Sequence, residues 1–94
     1  MTDISILIPV YNEITYLEEF TSRLLDSFEN ENAEYIFIND GSTDGSKEWL
    51  NEFKSKKLKN NIQYIDLPNN MGKGYALQSG LKVAKGKYVL FQDV

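Results

Sequence analysis

The sequence predicts an α/β fold in which a mostly parallel, four-stranded sheet carries helices on both faces. Short apolar runs recur at intervals of about 25 to 30 residues with helical patterns between them, which is typical of right-handed βαβ units. Polar residues follow each apolar run at its carboxyl end, the edge where open α/β sheets bind ligands. The fold class therefore also predicts where a ligand would bind.

The first βα unit is indicated by an apolar run and a capping signal. The strand is predicted at residues 4–8, where the run ends at Pro9 and the chain is expected to leave the sheet. The helix is predicted over about residues 15–28, because Thr15 and Glu18 have the spacing of a capping box and apolar residues follow at helical spacing. A short polar link then leads to the next strand.

The second βα unit has the sharpest boundary in the chain. Residues 35–38 are all β-branched or aromatic, as a strand buried on both faces requires, and the run stops at Asp40. Asp44 and Ser46 are expected to cap the helix that follows, which carries Trp49 on its apolar side. Asp40 would then lie at the carboxyl end of a parallel strand, where a ligand is expected.

The remaining elements complete the sheet. Strands are predicted at Ile62–Leu67 and at Tyr88–Phe91, both rich in β-branched and aromatic residues. A helix is predicted between them over about residues 75–84. Gly80 lies on its apolar stripe, where a close approach to the sheet is expected, and Gly86 is expected to end it.

The composition describes one small folded domain with a restricted chemistry. The 94 residues are 41% apolar and 13% aromatic, and they contain neither cysteine nor histidine. Disulfides and thiolate metal sites are therefore excluded. Any acid-base or metal chemistry has to use Asp, Glu, Lys or Tyr.

The charge pattern argues against nucleic acid as a partner, because the formal net charge is −4. The basic run at residues 54–59 follows the second helix, where cations complement the helix dipole, so a solvated helix end is expected there. No apolar run reaches the roughly 20 residues that span a bilayer, and the start lacks the basic flank of a signal peptide. The chain is therefore expected to be soluble and cytoplasmic, with no membrane segment.

Several familiar ligand-binding motifs are absent. The segment beginning at Asp40 resembles the opening of an EF-hand loop, but its twelfth position is Asn51 and a strand leads into it. No glycine directly follows the first strand, which excludes a dinucleotide-binding loop, and no segment matches a Walker A loop. A receiver-type domain would have an acidic pair where Val10 and Tyr11 stand.

The loops at the strand ends nevertheless hold side chains that suit a nucleotide. Tyr11 can lie flat on a heterocyclic base, and Asp40 can accept a hydrogen bond from a ring N–H, which both uracil and guanine offer. Asp93 follows the fourth strand with no helix to cap, which favours a hard cation such as Mg²⁺ or Mn²⁺ bridging to a diphosphate. Lys73 lies between two glycines and is either near that phosphate or the ribose, or an exposed turn lysine.

The carboxylates also have structural explanations. Asp44 fits a helix cap, Asp40 fits an Asx-turn, and Glu13 fits a solvated residue before the first helix. For each of these residues taken singly, both explanations stay open.

Four short motifs stand in order at the predicted strand ends. They are Pro-Val-Tyr-Asn-Glu at 9–13, Asn-Asp-Gly-Ser-Thr-Asp-Gly-Ser at 39–46, Asn-Met-Gly-Lys-Gly at 70–74 and Gln-Asp at 92–93. Together they closely resemble the nucleotide-binding half of family 2 glycosyltransferases of the GT-A fold, particularly dolichyl- and polyprenyl-phosphate mannosyl- and glucosyltransferases. The fold implied by this resemblance is the Rossmann-like half of a GT-A domain.

The resemblance implies roles for the matched residues. Pro9, Tyr11 and Glu13 would contact the base and ribose, and Asp40 would recognise the base. Asp93 would be the first aspartate of an Asp-x-Asp motif, which holds the divalent metal, Mg²⁺ or Mn²⁺, on the donor diphosphate. The full set of implied nucleotide-binding residues is Pro9, Tyr11, Asn12, Glu13, Asp40, Gly41, Lys73 and Asp93.

The activity implied by the resemblance is inverting transfer of a sugar from a UDP- or GDP-sugar to an acceptor such as a polyprenyl phosphate or a saccharide. Residues 1–94 would be the donor-binding part of the domain, without the second aspartate and the acceptor-binding half. Such a part is expected to be inactive alone and to expose apolar surface that favours self-association. The alternative is a non-catalytic nucleotide- or metal-binding α/β module. Whether the parent protein is membrane-associated stays open.

Overall fold

The computed structural model describes residues 1–56 and 61–94, and within them it shows four strands and three helices in alternating order. Residues 57–59 of the basic run lie outside the described part. The strands are β1 (Ile4–Val10), β2 (Ala33–Asp40), β3 (Ile62–Leu67) and β4 (Tyr88–Phe91), and the helices are α1 (Ile14–Ser27), α2 (Ser46–Lys56) and α3 (Lys73–Leu81).

The four strands form one parallel sheet in the order β3-β2-β1-β4. β1 and β2 occupy its centre, with Ile8 opposite Phe37. Because every pairing is parallel, the carboxyl ends of all four strands lie at one edge of the sheet. The predicted α/β fold with a parallel sheet is confirmed.

Helices cover both faces of the sheet, as predicted. On one face, α1 and α2 bury a cluster that includes Ile6, Leu17 and Leu50, and on the other face α3 packs its Ala76 against Ile36. All eight residues of β2 are buried because this strand lies between strands and beneath helices on both sides.

Gly80 sets the distance between α3 and the sheet. A Cβ atom at this position would lie 2.9 Å from Cγ of Leu7 and 3.0 Å from Cδ1 of Ile38. The expected close approach is therefore confirmed. It fixes the height of α3 above β1 and β2, and so places the amino end of the helix beside the ends of those strands.

β1 extends two residues beyond the predicted end, because Pro9 lies within the strand and pairs with Ile38. The carbonyl of Leu7 accepts a hydrogen bond from the N–H of Gln92 at 2.9 Å, which shows that this residue directs its backbone groups towards β4. In a parallel sheet, alternate residues of a strand direct their backbone groups to the same neighbouring strand, so Pro9 also directs its backbone groups towards the β4 side. It lies beyond the last paired residue of β4. A missing N–H there breaks no ladder hydrogen bond.

The predicted capping box of the first helix is wrong. α1 begins at Ile14, with Glu13 as its N-cap residue, so Thr15 lies inside the helix. The N–H of Ile14 donates instead to Oδ2 of Asp44 at 3.0 Å, from a loop 30 residues away in sequence. A tertiary contact has replaced the local cap.

The third helix also lies earlier than predicted, at Lys73–Leu81, and Gly86 does not end it. The N–H of Gly86 donates to Oγ of Ser5 at 2.8 Å, and a Cβ atom on Gly86 would lie 2.6 Å from the backbone nitrogen of Ser5. Gly86 is thus required where the chain passes β1 on its way into β4.

Both faces of β4 remain uncovered. Its four residues, Tyr88–Phe91, are all exposed, which agrees with the expected exposed apolar surface at this edge. Among the helices of the described residues, none is both long and apolar enough to cross a membrane.

Candidate functional site

The loop after β1 is pinned to the loop after β2. The N–H of Asn12 donates to Oγ of Ser42 at 2.9 Å, and Oδ1 of Asn12 accepts the N–H of Thr43 at 2.7 Å. Asn12 has a φ of 53°, a left-handed conformation that asparagine tolerates better than most residues. These contacts hold the neighbouring Tyr11, which is 47% exposed, at the strand edge.

Asp44 joins the first turns of two helices. Its Oδ1 accepts hydrogen bonds from the N–H and the hydroxyl of Ser46, at 3.0 and 2.7 Å, while Oδ2 accepts the N–H of Ile14. The predicted helix-capping role of Asp44 is confirmed. Ser46 is the first residue of α2, and its Oγ accepts the N–H of Glu13 at 3.1 Å rather than capping its own helix.

The pKa of Asp44 reflects this arrangement. Desolvation raises the pKa, but the hydrogen bonds from Ser46 and Ile14 outweigh it, so the net pKa lies below the ordinary value. The carboxylate is therefore held ionised, and it stabilises the junction between the two loops.

Asp40 connects the end of β2 to the loop before α3. The side chain is buried, with 4% of its surface exposed, and its Oδ1 accepts the N–H of Met71 at 2.7 Å. Its Oδ2 accepts the N–H of Gly72 at 3.1 Å. Each carboxylate oxygen can accept a further hydrogen bond, so this structural role leaves acceptor capacity for a ligand.

Gly41 lets the loop before α3 lie directly against the end of β2. It has a φ of +70°, and a Cβ atom there would lie 2.3 Å from the backbone nitrogen of Asn70. Gly41 therefore shapes the site through the backbone and does not itself line the cavity described below.

The first residue of α3 makes an ion pair with the end of β4. Gly72, with a φ of +96°, is the N-cap of α3, and Lys73 follows it. Nζ of Lys73 lies 2.5 Å from Oδ1 of Asp93. Both side chains remain largely exposed, at 58% and 71%.

These loops surround a cavity of about 380 Å³ at the carboxyl edge of the sheet. Of the eight residues predicted for the site, six line the cavity, whereas Asn12 and Gly41 do not. The lining residues are Pro9, Val10, Tyr11, Glu13, Asp40, Asn70, Gly72, Lys73, Asp93 and Val94. The sequence alone did not indicate Val10 or Val94, because apolar residues at strand ends carry no ligand signal.

Other polar residues near the carboxyl ends of β2 and β3 stay outside the cavity. Asp66 accepts a hydrogen bond from Nδ2 of Asn39 at 2.8 Å and pairs with Lys47 at 3.3 Å. Oδ1 of Asn39 accepts the N–H of Ser42 at 3.2 Å. Asn39 is thus a buried support for the loop that follows β2, and its signal in the sequence is a polar residue directly after the apolar run at residues 35–38.

A larger cleft of about 520 Å³ lies between α1 and α2 and includes Trp49 and Phe53 among its lining residues. None of the residues predicted for the site lines it. The smaller cavity is the candidate functional site because it lies at the strand ends, where parallel sheets bind ligands.

The cavity suits a metal only in combination with an anionic ligand. No group of three carboxylates within residues 1–56 and 61–94 is arranged to hold a metal ion. Mg²⁺ is commonly bound by one or two carboxylates together with substrate phosphates, and Asp93 at the rim matches that donor set. The residues present therefore fit a metal held jointly with a diphosphate and do not fit an all-protein metal site.

A crevice at the ends of a parallel sheet, with an aromatic ring, a buried carboxylate and a rim aspartate, is typical of a nucleotide-binding α/β domain. The chain belongs to the family described as glycosyl transferase family 2, whose sequence profile matches residues 5–94. The expected family membership is confirmed.

Similar proteins of this family include two bacterial polymer enzymes. The poly(ribitol-phosphate) beta-glucosyltransferase of Bacillus spizizenii is 41% identical over 95 residues, and the poly-beta-1,6-N-acetyl-D-glucosamine synthase of Staphylococcus epidermidis is 39% identical over 90 residues. Each match covers 96% of this chain but only 14% and 21% of those proteins, respectively. The chain thus spans about a fifth or less of their length.

Solved structures with the same fold contain nucleotide ligands. Staphylococcus aureus TarS 1-349 in complex with UDP-GlcNAc superposes with a TM-score of 0.82 at 29% identity, covering 98% of this chain and 26% of that one. The mannosyltransferase PcManGT of Pyrobaculum calidifontis, solved with GDP-Man and Mn²⁺, gives a TM-score of 0.85 at 22% identity over 96% of this chain and 26% of that one. This second likeness confirms the predicted GT-A fold and nothing beyond it.

Proposed function

We propose that residues 1–94 form the donor-binding part of an inverting family 2 glycosyltransferase, which holds a nucleoside-diphosphate sugar through Mg²⁺ or Mn²⁺. The observation that carries the proposal is the cavity at the sheet edge. Four stretches of sequence converge there, and six of the eight residues predicted for a nucleotide line it. Membership of family 2 supports the same activity.

The nucleoside would bind between the ends of β1 and β2. The half-exposed ring of Tyr11 offers a flat surface for a base, and Asp40 retains acceptor capacity for a ring N–H. Pro9 and Glu13 also line the cavity and would contact the ribose. We favour uracil over guanine because TarS, the relative solved with UDP and UDP-GlcNAc, is 29% identical to this chain, whereas the GDP-Man complex is 22% identical.

The diphosphate would bind at the opposite side of the cavity, between Lys73 and Asp93. Three carboxylates, Glu13, Asp40 and Asp93, and a single ammonium group line the cavity, so an anion needs an added cation there. Asp93 would hold the metal together with the diphosphate oxygens, and the metal would stabilise the leaving nucleoside diphosphate. Lys73 would contribute a further positive charge to the same phosphates.

The acceptor is proposed to be a saccharide polymer, with a polyprenyl phosphate as the other candidate. The support comes from the similar enzymes, a poly(ribitol-phosphate) glucosyltransferase and a synthase of poly-N-acetylglucosamine. The competing proposal is a non-catalytic nucleotide- or metal-binding module.

Calorimetric titration with UDP in the presence of Mn²⁺ tests the nucleotide proposal. Tyr11→Ala should weaken UDP binding about fivefold to a hundredfold, since stacking of a base on an aromatic ring contributes about 1–3 kcal/mol. Tyr16→Ala is the matched control, because Tyr16 is an exposed tyrosine on α1 outside the cavity. Equal affinities of the two variants, or no UDP binding by the unaltered chain, would contradict the proposal.

A further inference from the structure

We infer that Lys73 is the resident counter-ion of Asp93 and that a divalent cation competes with it for this carboxylate. This inference rests on the proposed metal site and deepens it. Nζ of Lys73 lies 2.5 Å from Oδ1 of Asp93, whose carboxylate is the proposed metal ligand. An ammonium ion and a metal ion repel each other, so an ammonium group already paired with Asp93 opposes binding of a metal to the same carboxylate.

The backbone on both sides fixes the positions from which the two side chains reach each other. On the helix side, Gly72 caps α3, and the carboxylate of Asp40 holds the N–H of Gly72. On the strand side, the N–H of Gln92 is bonded to Leu7 of β1, directly before Asp93. The ion pair is therefore formed between two anchored segments and not between mobile ends.

The side chains themselves are free to separate. Lys73 is 58% exposed and Asp93 is 71% exposed, so water competes with the ion pair and its strength is modest. A lysine carries its charge on a flexible stem with rotatable donors. Lys73 can therefore leave Asp93 at small cost and turn towards an anion that enters the cavity.

These properties give Lys73 opposite effects on two binding equilibria. Without nucleotide, it neutralises Asp93 and opposes metal binding. With a diphosphate present, the metal takes its place on Asp93, and the released ammonium gains a phosphate oxygen as its partner. Lys73 thus favours joint binding of metal and diphosphate over binding of the metal alone.

The test is Lys73→Gln, with Mn²⁺ affinity measured by the electron paramagnetic resonance signal of the free ion and UDP affinity measured by calorimetry. Without nucleotide, the unaltered chain should bind Mn²⁺ only weakly, and the variant should bind it about two- to fivefold more tightly, the range expected for loss of an exposed ion pair. At saturating Mn²⁺, the affinity of the same variant for UDP should be lower by at least about threefold. Opposite signs in the two assays are the signature of the exchange.

Lys82→Gln is the matched control, because it removes the same charge from an exposed position at the other end of α3. It should change both affinities by clearly less than Lys73→Gln does. In an Asp93→Asn background, Lys73→Gln should no longer raise Mn²⁺ affinity, since the carboxylate for which the two cations compete is gone.

The inference is overturned if Lys73→Gln leaves Mn²⁺ affinity unchanged or lowers it, or if the gain persists in the Asp93→Asn background. The two proposals fail in different ways. The donor-site proposal is refuted if the unaltered chain does not bind UDP. The Mn²⁺ arm without nucleotide reports only on the Lys73–Asp93 pair.

Discussion

The carboxylate of Asp40 accepts a hydrogen bond from the N–H of Gly72 at 3.1 Å and so connects the end of β2 to the first turn of α3. Together with the bond to Met71, this contact positions the loop that carries Lys73. The residue expected to recognise the base is therefore also the residue that arranges the phosphate side of the cavity. A ligand contact and a structural contact coexist in one buried side chain.

Asp40→Asn should lower both stability and nucleotide affinity. The amide replaces one acceptor oxygen with an N–H donor that faces a backbone N–H, and a lost buried hydrogen bond of this kind costs about 1–3 kcal/mol. Urea denaturation measures the first effect and calorimetry with UDP and Mn²⁺ the second. Asp26→Asn on the exposed surface of α1 is the control and should change neither. Unchanged stability of Asp40→Asn would refute the structural role.

Gly41→Ala should destabilise the fold by about 2–4 kcal/mol, because the new methyl group meets the backbone of Asn70 and the left-handed conformation disfavours a side chain. Gly74→Ala is the control. A Cβ atom on Gly74 has no neighbour within 4 Å, and alanine is the better helix former, so this change should be neutral or stabilising by up to about 1 kcal/mol. Similar unfolding free energies for the two variants would contradict the close packing at Gly41.

A buried carboxylate near the amino ends of the strands, opposite to the cavity, should make stability depend on pH. Glu34 accepts hydrogen bonds from the hydroxyl of Ser5 at 2.5 Å, the N–H of Lys85 at 2.6 Å and the side chain of Gln63 at 3.1 Å. Desolvation raises its pKa, but these hydrogen bonds prevail, and the net pKa lies below the ordinary value of 4.5.

A carboxylate with a lowered pKa in the folded state stabilises the fold above its unfolded pKa, and this contribution is lost as the pH falls through the folded pKa. The unfolding free energy should therefore decrease as the pH is lowered below about 4.5. Glu34→Gln should show a smaller decrease over that range, whereas Glu31→Gln, at an exposed position, should follow the unaltered chain. Parallel pH profiles for all three would exclude a contribution from Glu34.

The sequence predicted the elements of this fold well because each carries a local signal. The apolar runs of β2, β3 and β4 and the helical spacing of α1 depend on nearby residues. Gly80 lies on the apolar stripe of α3, which indicates the face that packs on the sheet. The boundaries failed where a distant group decided them. Ile14 is capped by Asp44, and Pro9 stays in the strand because β4 ends beside it.

The sequence grouped the residues around the candidate cavity but did not predict the contacts between them. Loops at the ends of parallel strands must meet at one edge, so Tyr11, Asp40 and Asp93 could be grouped from their positions alone. The bonds from Asp40 to Met71 and from Lys73 to Asp93 depend on side-chain geometry across loops, for which the sequence has no periodic signal. These contacts are what add the structural role of Asp40 and the counter-ion role of Lys73.

The central claim is that Asp93 links a divalent metal to the donor diphosphate, and calorimetric titration with UDP and GDP, each with and without Mn²⁺, tests it most directly. The account predicts nucleotide binding that requires Mn²⁺ and is stronger for UDP than for GDP. Asp93→Asn should abolish this binding, whereas the control Asp26→Asn should retain it. Nucleotide binding that is equally strong without Mn²⁺ and unchanged in Asp93→Asn would contradict the account.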